Sequence, residues 1–230
     1  MKEKSKAQEL SSAGVADFLK LMHNGQPEWA ILAVKAPIDE VSEDFADFAG
    51  SGAVHRDVPR KPAEEYDDVQ QVVAVVQSKG SAWTIILRSV HYVDESQIEG
   101  VAEAAKEMSA RLNTRALSFV GEDTSGANGY KLFEKGKLLE DIEWEANGEF
   151  FRFKSSLRKR PTLEQVDDSF VDGLFREQEI YLPACYAMSE GASSWLAVEK
   201  TSIDAIQRAD LIELEETDED DEDEDEDGAE

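Results

Sequence analysis

Side chains able to move protons or grip an anion cluster at two points of this chain. His91 stands beside Tyr92, three residues after Arg88 and three before Asp94. A histidine beside a carboxylate can act as a general base near neutral pH. The second point is the loop 121–129, GEDTSGANG, whose Glu122, Asp123 and Ser125 sit among glycines that permit close backbone approach to a ligand. It follows an apolar strand, where sheets of α/β proteins place ligands. Arg88, His91, Glu122, Asp123 and Ser125 together form the candidate small-molecule site. Against it, the loop lacks the lysine of a phosphate-binding loop and opens no helix that would aim its amides at a phosphate. Gly, Asn, Asp and Ser also favour a plain polar loop.

The other reactive types are less promising. Cys185, in LPACYAM, has apolar and aromatic neighbours and reads as a buried structural thiol. Adjacent acids such as Asp67–Asp68, Glu122–Asp123 and Asp167–Asp168 arise by chance in a chain with 51 carboxylates. One cysteine and three separated histidines (His23, His55, His91) support neither a disulfide framework nor a zinc site. No catalytic residue, metal or cofactor is assigned, and the balance leans against an enzyme without settling it.

Charge is the more specific signal. The net charge is −27; removing the fourteen carboxylates from Glu213 onward leaves −13 for residues 1–212. Such a field repels nucleic-acid backbone and anionic lipid, which are bound through Lys and Arg. A basic protein is the expected partner. The run Asp218 to Asp227 cannot bury apolar surface and repels itself, so 213–230 reads as a disordered acidic tail. Asp220, Asp221, Glu222, Asp223, Glu224 and Asp225 are its candidate partner-binding residues; simple solubilisation is the plainer alternative. Two basic islands interrupt the acidity, His55 to Lys61 and Lys154 to Arg160. Either could hold an anionic group, and Arg158, Lys159 and Arg160 could dock the chain's own tail.

The apolar pattern supplies the frame. Trp83 to Val120 reads as strand, helix, strand: Thr84, Ile85, Ile86, Leu87 and Val90 make an apolar, β-branched strand, Asp94 and Gln97 resemble a capping box, and Ile98, Val101, Ala102, Ala105, Met108 and Leu112 recur at helical spacing. Val15 to Met22 reads as a short helix and Trp29 to Val34 as a strand. A helix then carries Ile38, Val41, Phe45 and Phe48 on one face, ended by Gly50 and Gly52. Residues 53–68 read as an extended edge or loop, and 69–77 as a strand hairpinned to the next. Residues 130–134, 137–144 and 150–153 form a meander with Lys135–Gly136 as a turn. Pro161–Thr162 is expected to open a helix bearing Leu163, Val166, Phe170, Leu174 and Phe175. Trp195 to Val198 reads as a strand, and Thr201 or Ser202 as the cap of a helix holding Ile203, Ile206 and Leu211. LAVKAPIDEV (32–41) and LAVEKTSIDAI (196–206) are alike enough to raise a duplication, although strand–turn–helix corners share such wording.

The expected fold is α+β: a mixed, mainly antiparallel sheet with hairpins flanked by helices. Residues 1–10 form a flexible N-terminus and 11–212 a single globular domain, or two subdomains, 11–121 and 130–212. No apolar run approaches the roughly 18 residues of a membrane span, and no secretory signal is visible, so a cytoplasmic protein is expected. The function expected is a non-enzymatic interaction domain of inhibitor, immunity or adaptor type. The alternative is a small-molecule binder or enzyme built on the 121–129 loop with His91.

Overall fold

The computed structural model describes residues 29–50, 53–57, 72–88, 95–121, 127–145, 151–162, 165–166, 168–180 and 206–214. Among the described residues there are nine strands and three helices: β1 (Trp29–Val34), α1 (Ile38–Ala49), β2 (Ala53–His55), β3 (Val72–Ser78), β4 (Thr84–Arg88), α2 (Glu95–Arg111), β5 (Arg115–Gly121), β6 (Ala127–Glu134), β7 (Lys137–Glu145), β8 (Phe151–Ser155), α3 (Asp168–Glu177) and β9 (Ile206–Glu213). They form one sheet in the order β2-β9-β3-β4-β1-β5-β6-β7-β8, every neighbour antiparallel. The architecture is thus sheet-dominated α+β, and among the described strands the sheet is antiparallel throughout rather than mixed.

The central strands are apolar at consecutive positions because both their faces are covered. Leu32, Val34, Val73, Val75, Ile86, Ala116 and Ile212 pack with Val41 and Ala46 of α1 and Ala104, Ala105 and Met108 of α2. Ile31, Ala33, Val76, Ile85, Leu87, Leu117 and Phe119 face the other way, onto Leu174, Phe175 and Ile180. Phe175 meets Phe119 edge-on at 5.6 Å, and Trp83 donates its indole N–H to the Gln178 carbonyl at 2.7 Å.

Several expectations hold closely, including β1, both hairpins, α1 and α2. Asn113 ends α2 with φ 51°, and Lys135 and Gly136 (φ 53° and 76°) make the two-residue turn that suits the right-handed twist of β6 and β7. Others are corrected. The loop after β5 is shorter than 121–129: Gly121 pairs with Asn128 and Val120 with Gly129, so β6 starts at Ala127. Thr162 N–H donates to Gln165 Oε1 at 2.9 Å, one half of the expected capping box, and α3 runs from Asp168. Phe48 is 38% exposed, while Ser42 takes an inward position on α1.

The largest correction is β9. Ile206 and Leu211 lie in a strand, not a helix, because β3 offers a ladder from Val72 to Ser78 that pairs this segment's backbone. Of the second unit of the suggested duplication, 196–206, only Ile206 lies within the described residues. The expected helix 15–22, residues 58–71 and the expected strand 195–198 lie outside the described residues, as does the tail from Glu215; β9 itself carries the described chain through Glu213. No helix among the described residues is long and apolar enough to cross a membrane.

Candidate functional site

Among the described residues, α1 and α2 form the acidic side of the sheet. α1 carries Asp39, Glu40, Glu43, Asp44 and Asp47 with no base; α2 carries Glu95, Glu99, Glu103 and Glu107 against Lys106 and Arg111. The spacing is systematic. Asp39, Glu43 and Asp47 follow one another at i, i+4, and so do Glu95, Glu99, Glu103 and Glu107. Like charges at that spacing destabilise a helix by about 0.2–0.5 kcal/mol per pair where no cation lies between them.

Arginines reinforce the inner side of this surface. Arg111 reaches from α2 to Asp44 at 2.7 Å and to Asp47. Arg56 bonds Asp39 at 2.7 Å and Glu43 at 2.5 Å. The Arg208 hydrogen bond, with its charge and that of Arg56, holds the Asp39 carboxyl below the usual carboxylate range. Burial pushes the Asp44 carboxyl up, and Arg111 offsets this only in part. Beneath them Asp210 is fully buried. It accepts Ser42 Oγ–H (2.8 Å), the Asp57 amide (2.8 Å) and a two-pronged grip from Arg208 (2.8 and 2.9 Å). Farther out, Glu40 and Glu99 are exposed with no ion pair among the described residues, and the Phe48 ring of α1 is 38% exposed.

A shallow groove of about 490 Å³ runs along the outer flank of α2, lined by Glu99, Gly100, Ala102, Glu103, Lys131, Phe133, Leu138 and Asp141. The β6–β7 turn fixes one end of it: Gly136 N–H donates to Ser109 Oγ at 2.8 Å and Lys135 N–H to the Thr114 carbonyl at 2.8 Å. A side chain at Gly136 would meet Ala110 at 3.0 Å, so the turn sits hard against α2. Gly100 is different. It lies inside the helix with ordinary backbone angles, and no described neighbour comes within 4 Å of where a Cβ would stand. A helix-interior glycine costs about 0.5–1 kcal/mol relative to alanine, and no packing against the described residues explains it.

The far edge of the sheet has the opposite sign. Residues 151–162 carry Arg152, Lys154, Arg158, Lys159 and Arg160 and no acid. Arg158 grips the fully buried Glu140 (2.6 and 2.9 Å), which also accepts Ser155 Oγ–H at 2.7 Å, and bonds Glu177 of α3 at 2.8 Å. Burial works against the Arg158 charge, but the two carboxylates more than offset it and keep its pKa raised. Nearby, the Tyr130 hydroxyl is buried with no hydrogen-bond partner among the described residues; burial and the Glu140 charge raise its pKa. Arg160 covers the Phe151 ring at 4.9 Å.

Of the residues singled out in the sequence, His91, Glu122, Asp123 and Ser125 lie outside the described residues, and so do Asp220, Asp221, Glu222, Asp223, Glu224 and Asp225. Arg88 ends β4 opposite Val73. Because strand directions alternate, Arg88 and Gly121 stand at the same end of the sheet with β1 between them. Within the candidate tail dock, Arg158 is committed to Glu140 and Glu177, leaving Lys159 and Arg160 exposed. β9 and β8 are seven strand steps apart, or about 34 Å at ~4.8 Å per step. An extended chain covers ~3.4 Å per residue, so only carboxylates from about Asp223 onward could reach β8.

Sequence reasoning missed the buried Glu140 and Asp210 and the groove. The i, i+4 acid rows were visible in the sequence and are the signal that could have pointed to this surface. Among the described residues no group of three or more His, Cys, Asp or Glu could hold a metal ion. The chain matches no family model, no curated protein and no solved structure.

Proposed function

We propose that this chain is a non-enzymatic interaction domain, of inhibitor, immunity or adaptor type, that presents the acidic α1–α2 surface to a basic protein. The observation that supports this reading is the paired i, i+4 rows of like charge on neighbouring helices. Arg56, Arg111 and Lys106 bridge part of these rows within the chain, and a cationic partner would answer what they leave, the exposed Glu99 among it. Complementary charge of this kind raises association rate and makes binding fall with salt. Phe48 supplies an apolar contact within the same surface.

The test is capture from the source organism's lysate at low and high salt. The wild-type chain would run beside a Glu40→Lys/Glu99→Lys/Glu103→Lys variant and a truncation after Glu215, which leaves β9 intact. The expected result is a basic protein held by the wild type and lost with salt and with the reversed helices. A capture indifferent to both would sink the reading.

The alternative, a small-molecule site on the loop after β5 with His91, draws support from one feature: the ends of β4 and β5 flank the start of β1. A ligand thermal-shift screen comparing the wild type with His91→Ala tests it; a hit insensitive to His91 and to Glu122→Gln would exclude that site.

A further inference from the structure

We infer that the groove along α2 is the recognition pocket of this interaction surface, and that it takes a partner segment with an apolar side chain flanked by lysine or arginine. The inference rests on the interaction reading above and gives it a location. The floor is apolar: Ala102 and Phe133 are buried, and Leu138 remains 37% exposed at the open side. The rim is anionic. Glu99 is exposed, Glu103 shares only Lys106 on its own helix, and Asp141 lies across the groove with Arg152 at 3.3 Å. The one cation of the lining, Lys131, is matched by Glu143 at 3.3 Å. A segment entering here would cover Leu138 and Phe133 with its apolar group and set its cations against Glu99 and Glu103.

Gly100 adds an independent reason. Inside α2 it has no left-handed backbone angle to satisfy and no described neighbour that a Cβ would strike. It lies on the groove wall, where the missing side chain lets another chain approach the helix backbone. A residue that weakens its own helix and opens the groove fits an occupant that no described part of the chain supplies. The like-charged row Glu95, Glu99, Glu103 and Glu107 runs along the same helix, so the charge and the opening coincide.

The experiment is an amide NMR titration of the full-length, ¹⁵N-labelled chain with the peptide acetyl-Lys-Phe-Lys-Lys-amide. Tetralysine amide and the acidic counterpart acetyl-Glu-Phe-Glu-Glu-amide serve as controls. The expected result is saturable shifts in residues 99–103, 131–133 and 138–141 for the first peptide and much weaker ones for the controls. Gly100→Leu should weaken binding by about tenfold or more, as expected when a buried apolar contact is blocked, while the thermal transition stays or rises. Leu138→Ser, at an exposed position, should weaken binding without touching the helix. Shifts confined to α1 or to the tail would overturn the groove while leaving the acidic-interface reading in place. No shifts anywhere, or equal affinity in both variants, would also overturn it, and the lysate capture would then judge the broader reading alone. Shifts in residues 1–28 on filling the groove would assign it to the chain's own N-terminal segment and overturn it as well.

Discussion

The acidic corner under α1 and the basic corner under β8 are each anchored by a buried carboxylate gripped by an arginine, yet the two anchors differ in completeness. Asp210 accepts four hydrogen bonds from three elements of the fold: the α1 hydroxyl, the amide after β2, and Arg208 on its own strand. Glu140 holds Arg158 and Ser155 from β8 and the segment that follows it, while the neighbouring Tyr130 hydroxyl goes without a partner among the described residues. The first network ties α1 to the sheet between two strands. The second fastens a peripheral segment to the sheet edge. Burial alone therefore does not tell how much a carboxylate matters; the number and origin of its donors do.

The sharpest break of that comparison is Asp210→Ala. It leaves Ser42, the Asp57 amide and Arg208 without an acceptor, and losing one partner of a buried ion pair costs about 3–5 kcal/mol. Chemical denaturation should show a loss in that range. Glu140→Ala should cost less, about 1.5–3 kcal/mol, the range for hydrogen bonds to charged groups, because it strands only Arg158, which keeps Glu177, and the Ser155 hydroxyl, and no backbone amide. Equal losses would mean that the two anchors are equivalent.

Why these anchors escape a reading of the sequence follows from the same geometry. The legible elements (β1, α1, α2 and the β6–β7 hairpin) announce themselves through local apolar period and turn residues. Glu140 is legible in principle: it alternates with Ile142 and Trp144 in β7, so strand parity places it inward. Asp210 is not, because β9 is buried on both faces and parity selects none of its positions. The same segment reads as a helix because Ile203 and Ile206 stand three apart behind a capping Thr201 or Ser202, and the strand that pairs with it lies more than 120 residues earlier in the chain. The acid rows are in plain view, but their packing side by side, and the groove beside them, depend on how α2 docks against β6 and β7.

A smaller effect separates folding from recognition on the acidic side. Gly100→Ala should raise stability by about 0.5–1 kcal/mol, since alanine removes backbone freedom from the unfolded chain and no described atom obstructs its Cβ. The same substitution at Gly136, where φ is 76° and Ala110 lies 3.0 Å from the added atom, should destabilise. Denaturation midpoints of the two variants decide it. If Gly100→Ala is destabilising, something already packs against that backbone within the chain.

The smallest effect belongs to Tyr130, on the basic side. Its hydroxyl makes no hydrogen bond to the described residues that phenylalanine would lose, so Tyr130→Phe should change stability by less than about 1 kcal/mol at neutral pH. The difference should emerge in alkali. The folded state holds the Tyr130 proton more tightly than the unfolded chain, whose tyrosines ionise near pH 10. Its contribution is therefore fully present below pH 10 and is lost as the pH climbs toward the raised folded value, at up to ~1.4 kcal/mol per pH unit. Tyr130→Phe lacks that slope. Urea unfolding of both proteins between about pH 8 and 11 should thus show the wild type falling away from the variant above pH 10, with one tyrosine ionising only on unfolding by ultraviolet absorbance. Parallel curves would mean that water reaches the hydroxyl, and that the Glu140 anchor is as well solvated on its open side as the arginines around Asp39 are on theirs.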